Sequence, residues 1–379
     1  MANTSTSKVR VLIVDDSAFM RKVLEAIFNA DPQFQVAGHA KDGREAVALA
    51  ESLKPDVITM DINMPHMDGL QATAQIMTTN PRPIVVVSSE SRDGAASTLK
   101  ALELGAIEFI AKPSGAIDLD MQSIREDLLR KVKMAAKVRV VRTASRLAAT
   151  LQSLTPAASN SAPRSTPVVN HASSPAPADT RFPVVVLAAS TGGPATVMRL
   201  APGFTKDFPA AVILVQHMPA AFTTQFAAQL AEFTEIRVKE AESGETIQPG
   251  NLYICPGAQH LRVNPLGRMQ LDSVAGRISG YLPNIDVTME SVAAYGGALS
   301  IGVVLTGMGA DGAQGARAIK KAGGHVIAQD EATSVIFGMP AEAIKLQAVD
   351  QVLGLDDIYS AIEKRVLALT RATPVGARS

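Results

Sequence analysis

Apolar and polar positions alternate along this chain in two separate blocks. In the first, an apolar run at Val9–Val14 predicts a buried strand, and Ser17–Asn29 has helical spacing with Phe19, Val23, Leu24, Ile27 and Phe28 facing inward. The alternation continues through strands at Phe34–His39, Asp56–Met60, Pro83–Val87 and Ile107–Ala111. Helices are expected at Gly43–Leu53, Leu70–Thr78, Gly94–Leu104 and Leu119–Ala135. Five strands alternating with five helices predict a doubly wound parallel sheet. The second block repeats the theme with strands at Val184–Ala189, Ala211–Gln216, Asn251–Cys255, Ser300–Leu305 and His325–Ala328. Helices are expected at Thr196–Leu200, Thr223–Phe233, Asp286–Tyr295 and Ala313–Ala322, while Gln248–Leu271 reads as short antiparallel strands. This is a second α/β domain with a mainly parallel sheet.

Between the blocks, the stretch from Thr155 to Asp179 is almost entirely Ala, Ser, Pro, Thr, Asn and Val. It has no apolar periodicity and too little to bury to offset its ordering entropy. The expected organisation is a domain over 9–135, a flexible linker over 136–180 and a second domain over 181–372. A chain of 379 residues with 47% hydrophobic content supports two packed cores. Its net charge of zero offers no basic surface for nucleic acid. No apolar run reaches the ~18 residues that span a bilayer, the start is polar, and the lone Cys255 excludes an internal disulfide. A cytoplasmic protein without membrane insertion is expected.

The polar residues of the first block fall at strand ends: Asp15 and Asp16, Asp61, Ser88 and Lys112. In a parallel sheet these carboxyl ends form the ligand crevice. Three carboxylates brought together repel unless a cation neutralises them, and a hard, oxygen-seeking ion such as Mg²⁺ suits such a pocket. Lys112 and the Ser88 hydroxyl are placed to bind a phosphoryl group on Asp61.

In the second block three strands also end in reactive residues. The first leads into Ser190-Thr191-Gly192-Gly193, the second into His217, and the third into Gly307-Met308-Gly309-Ala310-Asp311-Gly312. A buried strand entering a glycine turn exposes a serine hydroxyl, which needs a base to become a nucleophile. His217 is that base and Asp311 its orienting carboxylate, in the chain order Ser, His, Asp. Asp330 and Asp286 compete for the last role. The Thr191 N–H and the glycine loop are expected to face an oxyanion. Cys255, ending an apolar strand, reads as a core residue rather than a partner of His260.

The first block resembles response-regulator receiver domains, through Val14-Asp15-Asp16-Ser17, Asp61-Ile62-Asn63-Met64-Pro65, Asp68-Gly69, Ser88-Ser89 and Lys112-Pro113. The resemblance implies phosphotransfer from a histidine kinase to Asp61. It also implies Mg²⁺ held by Asp16, Asp61 and the Asn63 carbonyl with Asp15 close by, a switch pair in Ser88 and Phe109, and a Lys112–Pro113 bond that is often cis. The second block resembles the catalytic domain of chemotaxis protein-glutamate methylesterases. The matching stretches include Ala189-Ser190-Thr191-Gly192-Gly193, Gln216-His217-Met218-Pro219, Leu305-Thr306-Gly307-Met308-Gly309-Ala310-Asp311-Gly312 and Gln329-Asp330-Glu331-Ala332-Thr333-Ser334. That resemblance implies a phosphorylation-regulated esterase (and glutamine deamidase) acting on chemoreceptors, with no cofactor for the ester reaction. Ser190, His217 and Asp311 would be its triad, and the Met308 backbone part of its oxyanion site. Ala188 stands where the family usually has glycine, and Tyr281-Leu282-Pro283-Asn284-Ile285-Asp286 replaces the usual Arg-Pro-Ser-Val-Asp. The second departure puts substrate contacts in doubt. A response regulator that only binds a partner is the rival reading, and the intact Ser190, His217 and Asp311 argue against it.

Overall fold

The computed structural model describes residues 8–88, 92–112, 118–138, 181–273 and 281–372. The expected linker lies almost wholly outside the described residues, as do Ser89 and Pro113 and with it the isomer of the Lys112–Pro113 bond.

The first domain is a five-stranded parallel sheet. Its strands are β1 (Val9–Val14), β2 (Phe34–Ala40), β3 (Val57–Met60), β4 (Ile84–Ser88) and β5 (Glu108–Ala111), in spatial order β2-β1-β3-β4-β5. Helices α1 (Ala18–Asn29), α2 (Gly43–Leu53), α3 (Gly69–Thr79), α4 (Arg92–Glu103) and α5 (Asp118–Ala135) connect and cover them. Val11, Leu12, Ile13, Val57, Ile58, Val85 and Val86 are fully buried, which is why these strands read as continuous apolar runs rather than alternating ones. The strand order reverses between β1 and β3, so the crevice opens where Asp15, Asp16 and Asp61 lie. One inward expectation fails. Phe19 is 74% exposed, whereas Leu24, Ile27 and Phe28 are buried and Met20 packs against their cluster. Helical phase and position explain this: Met20 is four residues before Leu24, while Phe19 lies on the first turn, at the edge of the buried face.

The second domain holds a seven-stranded sheet in the order β14-β13-β12-β6-β7-β9-β8, with every pairing parallel. The strands are β6 (Val184–Ala189), β7 (Ala211–Gln216), β8 (Arg237–Glu240), β9 (Asn251–Ile254), β12 (Ser300–Val304), β13 (His325–Gln329) and β14 (Gln351–Leu353). A separate antiparallel pair, β10 (His260–Val263) and β11 (Met269–Asp272), accounts for the antiparallel character expected of this region. Helices α6 (Gly193–Leu200), α7 (Ala220–Leu230), α8 (Ile285–Gly296), α9 (Ala313–Lys321), α10 (Met339–Lys345) and α11 (Leu355–Ala372) complete the domain. The short edge strands β8 and β14 and the helices α10 and α11 were not expected. The edge strands have only four and three residues, too few for a period-two signal. The helix α11 was legible: Leu355, Ile358, Ile362 and Val366 recur at helical spacing and are all buried. Here the strand order reverses between β6 and β12, the strands that lead to Ser190 and to the glycine loop.

Candidate active site and acidic pocket

In the first domain, Asp15, Asp16 and Asp61 present carboxylate oxygens that all lie within 4.8 Å of one another. Asp15 and Asp61 are buried and Asp16 is exposed. The Lys112 ammonium bridges the two buried groups, 2.9 Å from Asp15 Oδ2 and 2.8 Å from Asp61 Oδ2. The Lys112 N–H donates to the Ser88 carbonyl at 2.7 Å, which ties the ends of β4 and β5 together. Burial pushes the Asp61 carboxyl above its ordinary range and the Asp15 charge adds to that, against the opposing pull of Lys112. Burial pulls Lys112 down, but its hydrogen bonds to Asp61 and Asp15 outweigh this and raise it. Hard oxygen donors in this arrangement, with more negative than positive charge, fit Mg²⁺. Asn63 is exposed on the loop after β3. Sequence reasoning missed Arg21, whose guanidinium donates to the carbonyls of Asp15 (2.7 Å) and Asp16 (2.9 Å) and so fixes the acidic turn.

In the second domain, the Ser190 N–H donates to the Thr306 carbonyl at 3.1 Å, and the Gly193 N–H to the Ser190 carbonyl at 2.7 Å. These bonds make the sharp turn that lifts the serine from the sheet. Two glycines make it possible. Gly192 has φ +76°, and a Cβ there would lie 2.5 Å from Val335; a Cβ on Gly307 would lie 2.9 Å from Ser190 Cβ. The imidazole of His217, at the end of β7, lies between the other two groups. Its Nδ1 is 3.1 Å from Ser190 Oγ and its Nε2 is 2.7 Å from Asp311 Oδ2. With Asp311 ionised, Nε2–H donates to the carboxylate and Nδ1 accepts the serine proton. The ring nitrogens are exchanged relative to the chymotrypsin arrangement, and the logic is the same.

Asp311 is held by more than the histidine. Its Oδ2 accepts from Ile285 N–H (2.8 Å), and its Oδ1 accepts from Asp286 N–H and Gly312 N–H (3.0 Å each). The carboxylate therefore sits on the N-terminus of α8, where the helix dipole favours a negative charge. The competing aspartates have other partners. Asp330 accepts from Thr333 N–H and Oγ1–H in its own turn. Asp286 accepts from Gly315 N–H at 2.7 Å, on the first turn of α9. Burial, reinforced by the Asp311 charge, pushes Asp286 up to about 6. Thr191 is buried, Met308 half-buried, and among the described residues neither of their N–H groups has a hydrogen-bond acceptor. Two glutamines that close apolar strands brace the site, a role that strand periodicity does not assign to them. Gln216 donates to the carbonyls of Ser190 (2.9 Å) and His217 (3.2 Å), and Gln329 accepts from Thr306 N–H at 2.8 Å. Cys255 is a buried thiol pushed up to about 12 by burial, and it donates to the Gln259 carbonyl, while His260 Nδ1 accepts from Asn284 N–H.

The two domains meet beside this site. Phe109, buried near the start of β5, packs on Phe222 of α7 with ring centroids 4.4 Å apart. Gln229 of α7 donates to Glu103 at the end of α4. Arg130 of α5, paired with Asp127, donates to Met308 Sδ at 3.6 Å. Ser88 is buried and donates to the Gly94 carbonyl at 3.3 Å.

Fold and geometry together describe a receiver-type sheet joined to an α/β domain with serine, histidine and aspartate in hydrogen-bonded sequence. The CheB methylesterase family model matches residues 185–362, and the response regulator receiver domain model matches residues 11–125. A protein-glutamate methylesterase/protein-glutamine glutaminase of Pyrococcus horikoshii is 42% identical over 361 residues, covering 95% of this chain and 94% of the relative. One from Halalkalibacterium halodurans is 39% identical over 362 residues, covering 95% and 99%. The crystal structure of the Thermotoga maritima CheB methylesterase catalytic domain is 39% identical with a TM-score of 0.47, over 49% of this chain and 99% of that one. The chain belongs to the protein-glutamate methylesterase/protein-glutamine glutaminase family, with a receiver domain ahead of the esterase domain.

Proposed function

We propose that the chain hydrolyses glutamate methyl esters, and deamidates glutamine, on chemoreceptors in the cytoplasm, under control of a histidine kinase that phosphorylates Asp61. The observation that carries the chemistry is the hydrogen-bond chain Ser190–His217–Asp311. Ser190 Oγ attacks the ester carbonyl carbon as its proton passes to His217 Nδ1, and Asp311 stabilises the imidazolium. The Thr191 and Met308 N–H groups receive the negative charge that develops on the carbonyl oxygen. Collapse breaks the ester C–O bond, and methanol leaves with the proton from His217. Water then adds to the acyl-serine by the reverse route, which releases the glutamate carboxyl and restores Ser190. Glutamine follows the same path with ammonia as the leaving group.

In the receiver, Asp16, Asp61 and the Asn63 carbonyl would hold Mg²⁺, with Asp15 beside them. The ion supplies positive charge against which a phosphoryl group can approach Asp61. Lys112 and the Ser88 hydroxyl hold that group once it is there, and Phe109 follows the Ser88 rearrangement. Two contacts support control of the ester site by this event: Phe109 on Phe222, and Arg130 on Met308. In the unphosphorylated state the receiver covers the serine edge. Shifting such an equilibrium from 1:99 to 99:1 requires about 5.5 kcal/mol of differential stabilisation. Methanol release from methylated receptor, measured with and without a small phosphodonor, tests the reading. The rate is expected to rise with the donor, and equal rates would sink the regulatory half.

A further inference from the structure

Tyr281 stands in the segment that departs from the family pattern. Its ring lies on the His217 imidazole, with centroids 4.3 Å apart and planes 20° from parallel. Behind it is the glycine loop: a Cβ on Gly309 would lie 3.4 Å from the Tyr281 hydroxyl, and Gly309 has φ +90°. We propose that Tyr281 is a positioning residue for the general base. Its face keeps the imidazole in the plane that joins Ser190 to Asp311 and favours the imidazolium that forms as the serine proton moves. The inference rests on the reading of His217 as that base.

The physical case has two parts. His217 makes both of its hydrogen bonds in the ring plane, so rotation about the Cβ–Cγ bond would break both. A flat ring stacked on one face resists that rotation, whereas an aliphatic side chain would resist it less. The second part is electrostatic. The face of a phenol ring is negative, and it attracts a cation placed over it. A neutral imidazole gains little from that field, and an imidazolium gains more. The attraction is therefore greater after proton transfer than before it, which is the requirement for raising kcat rather than tightening ground-state binding. The His217 side chain is only 9% exposed, so water screens this attraction weakly.

The test is steady-state methanol release by the full-length chain with phosphodonor, comparing wild type with Tyr281→Phe and Tyr281→Leu. Tyr281→Leu is expected to lower kcat about tenfold with KM unchanged. Tyr281→Phe, which keeps the ring, is expected to stay within about twofold of wild type. A Leu variant with wild-type kcat overturns the proposal. So does an effect confined to KM, which would make Tyr281 a substrate wall. A tenfold fall in Tyr281→Phe also overturns it, because the hydroxyl would then be the acting group. That last measurement stands even if the Leu variant does not fold. His217→Gln in the same assay reports on the underlying reading. Loss of turnover upholds His217 as the base whatever the Tyr281 variants do, and retained turnover removes both.

Discussion

The two sites of this molecule occupy the same topological place and solve opposite electrostatic problems. Each lies at the carboxyl end of a parallel sheet where the strand order reverses. The receiver pocket gathers three carboxylates around one ammonium. Burial pushes the Asp61 carboxyl up, and the nearby Asp15 charge adds to it, against the opposing pull of Lys112. The esterase site instead gives Asp311 four donors: His217 Nε2, and the N–H groups of Ile285, Asp286 and Gly312. On the proposed reading, one site is built to change its charge and the other to keep its charge fixed. This is the division of labour expected of an input and an output: preorganised dipoles catalyse without reorganising, while a switch needs a local charge whose change biases a second state.

Removing the proposed nucleophile should separate the sites most sharply. Ser190→Ala is expected to lower methanol release at least ~10⁴-fold while Asp61 remains phosphorylatable. Turnover near that of wild type would refute Ser190 as nucleophile. Loss of phosphorylation in the same variant would show that the pocket depends on the distant serine, against the comparison drawn above.

Asp286 sharpens the contrast, because it brings a strained charge into the otherwise well-satisfied esterase site. It lies beside Asp311, and the fold raises it to about 6 from an ordinary 3.8. The sign follows from linkage. The native state favours protonated Asp286, so its contribution to stability is fully present below pH 3.8 and is lost as pH rises through 6. Above pH 6 the loss amounts to at most ~3 kcal/mol. An asparagine still offers an oxygen to the Gly315 N–H and carries no charge. Asp286→Asn should therefore raise Tm at pH 8 and leave it unchanged at pH 3.5. Denaturation curves at the two pH values decide this, and a variant less stable at pH 8 would mean that the ionised form is the one the fold prefers.

How far each site was legible in sequence also differs. Strand runs such as Val184–Ala189 are buried on both faces, so their apolar continuity marks both the strand and the polar residue that ends it. Asp15, Asp61, Lys112, Ser190 and His217 are picked out that way, and each directly follows a strand in the structure. Asp311 was harder, since Asp286 and Asp330 compete with it in a linear reading. Its place in the glycine loop favours it in the sequence, and the placement of α8 against that loop supplies the donors that hold it. The exchange of His217 ring nitrogens, the Arg21 clamp and the Phe109–Phe222 contact left no trace in the pattern. Each depends on which elements become neighbours, and periodicity reports only which face is buried. Phe19 shows the converse error, an apolar residue assigned inward that stands exposed at the edge of the buried face.

The smallest expected effect probes the seam between the sites. Arg130 of α5 reaches Met308, whose backbone is assigned to the oxyanion site, and holds it through a sulfur contact at 3.6 Å. Arg130 is partly exposed and also pairs with Asp127, so the contact contributes little, about 0.5–1 kcal/mol to the covered arrangement. If the receiver restrains the esterase by covering it, loss of that contact multiplies the open population by roughly two to five. Arg130→Ala should then raise the basal rate of methanol release by that factor and leave the phosphodonor-saturated rate unchanged. The ratio of stimulated to basal rate would shrink in proportion. A fall in both rates would assign Arg130 the other role, support of the Met308 loop in its active shape, and the two sites would then share a structural element rather than only a border.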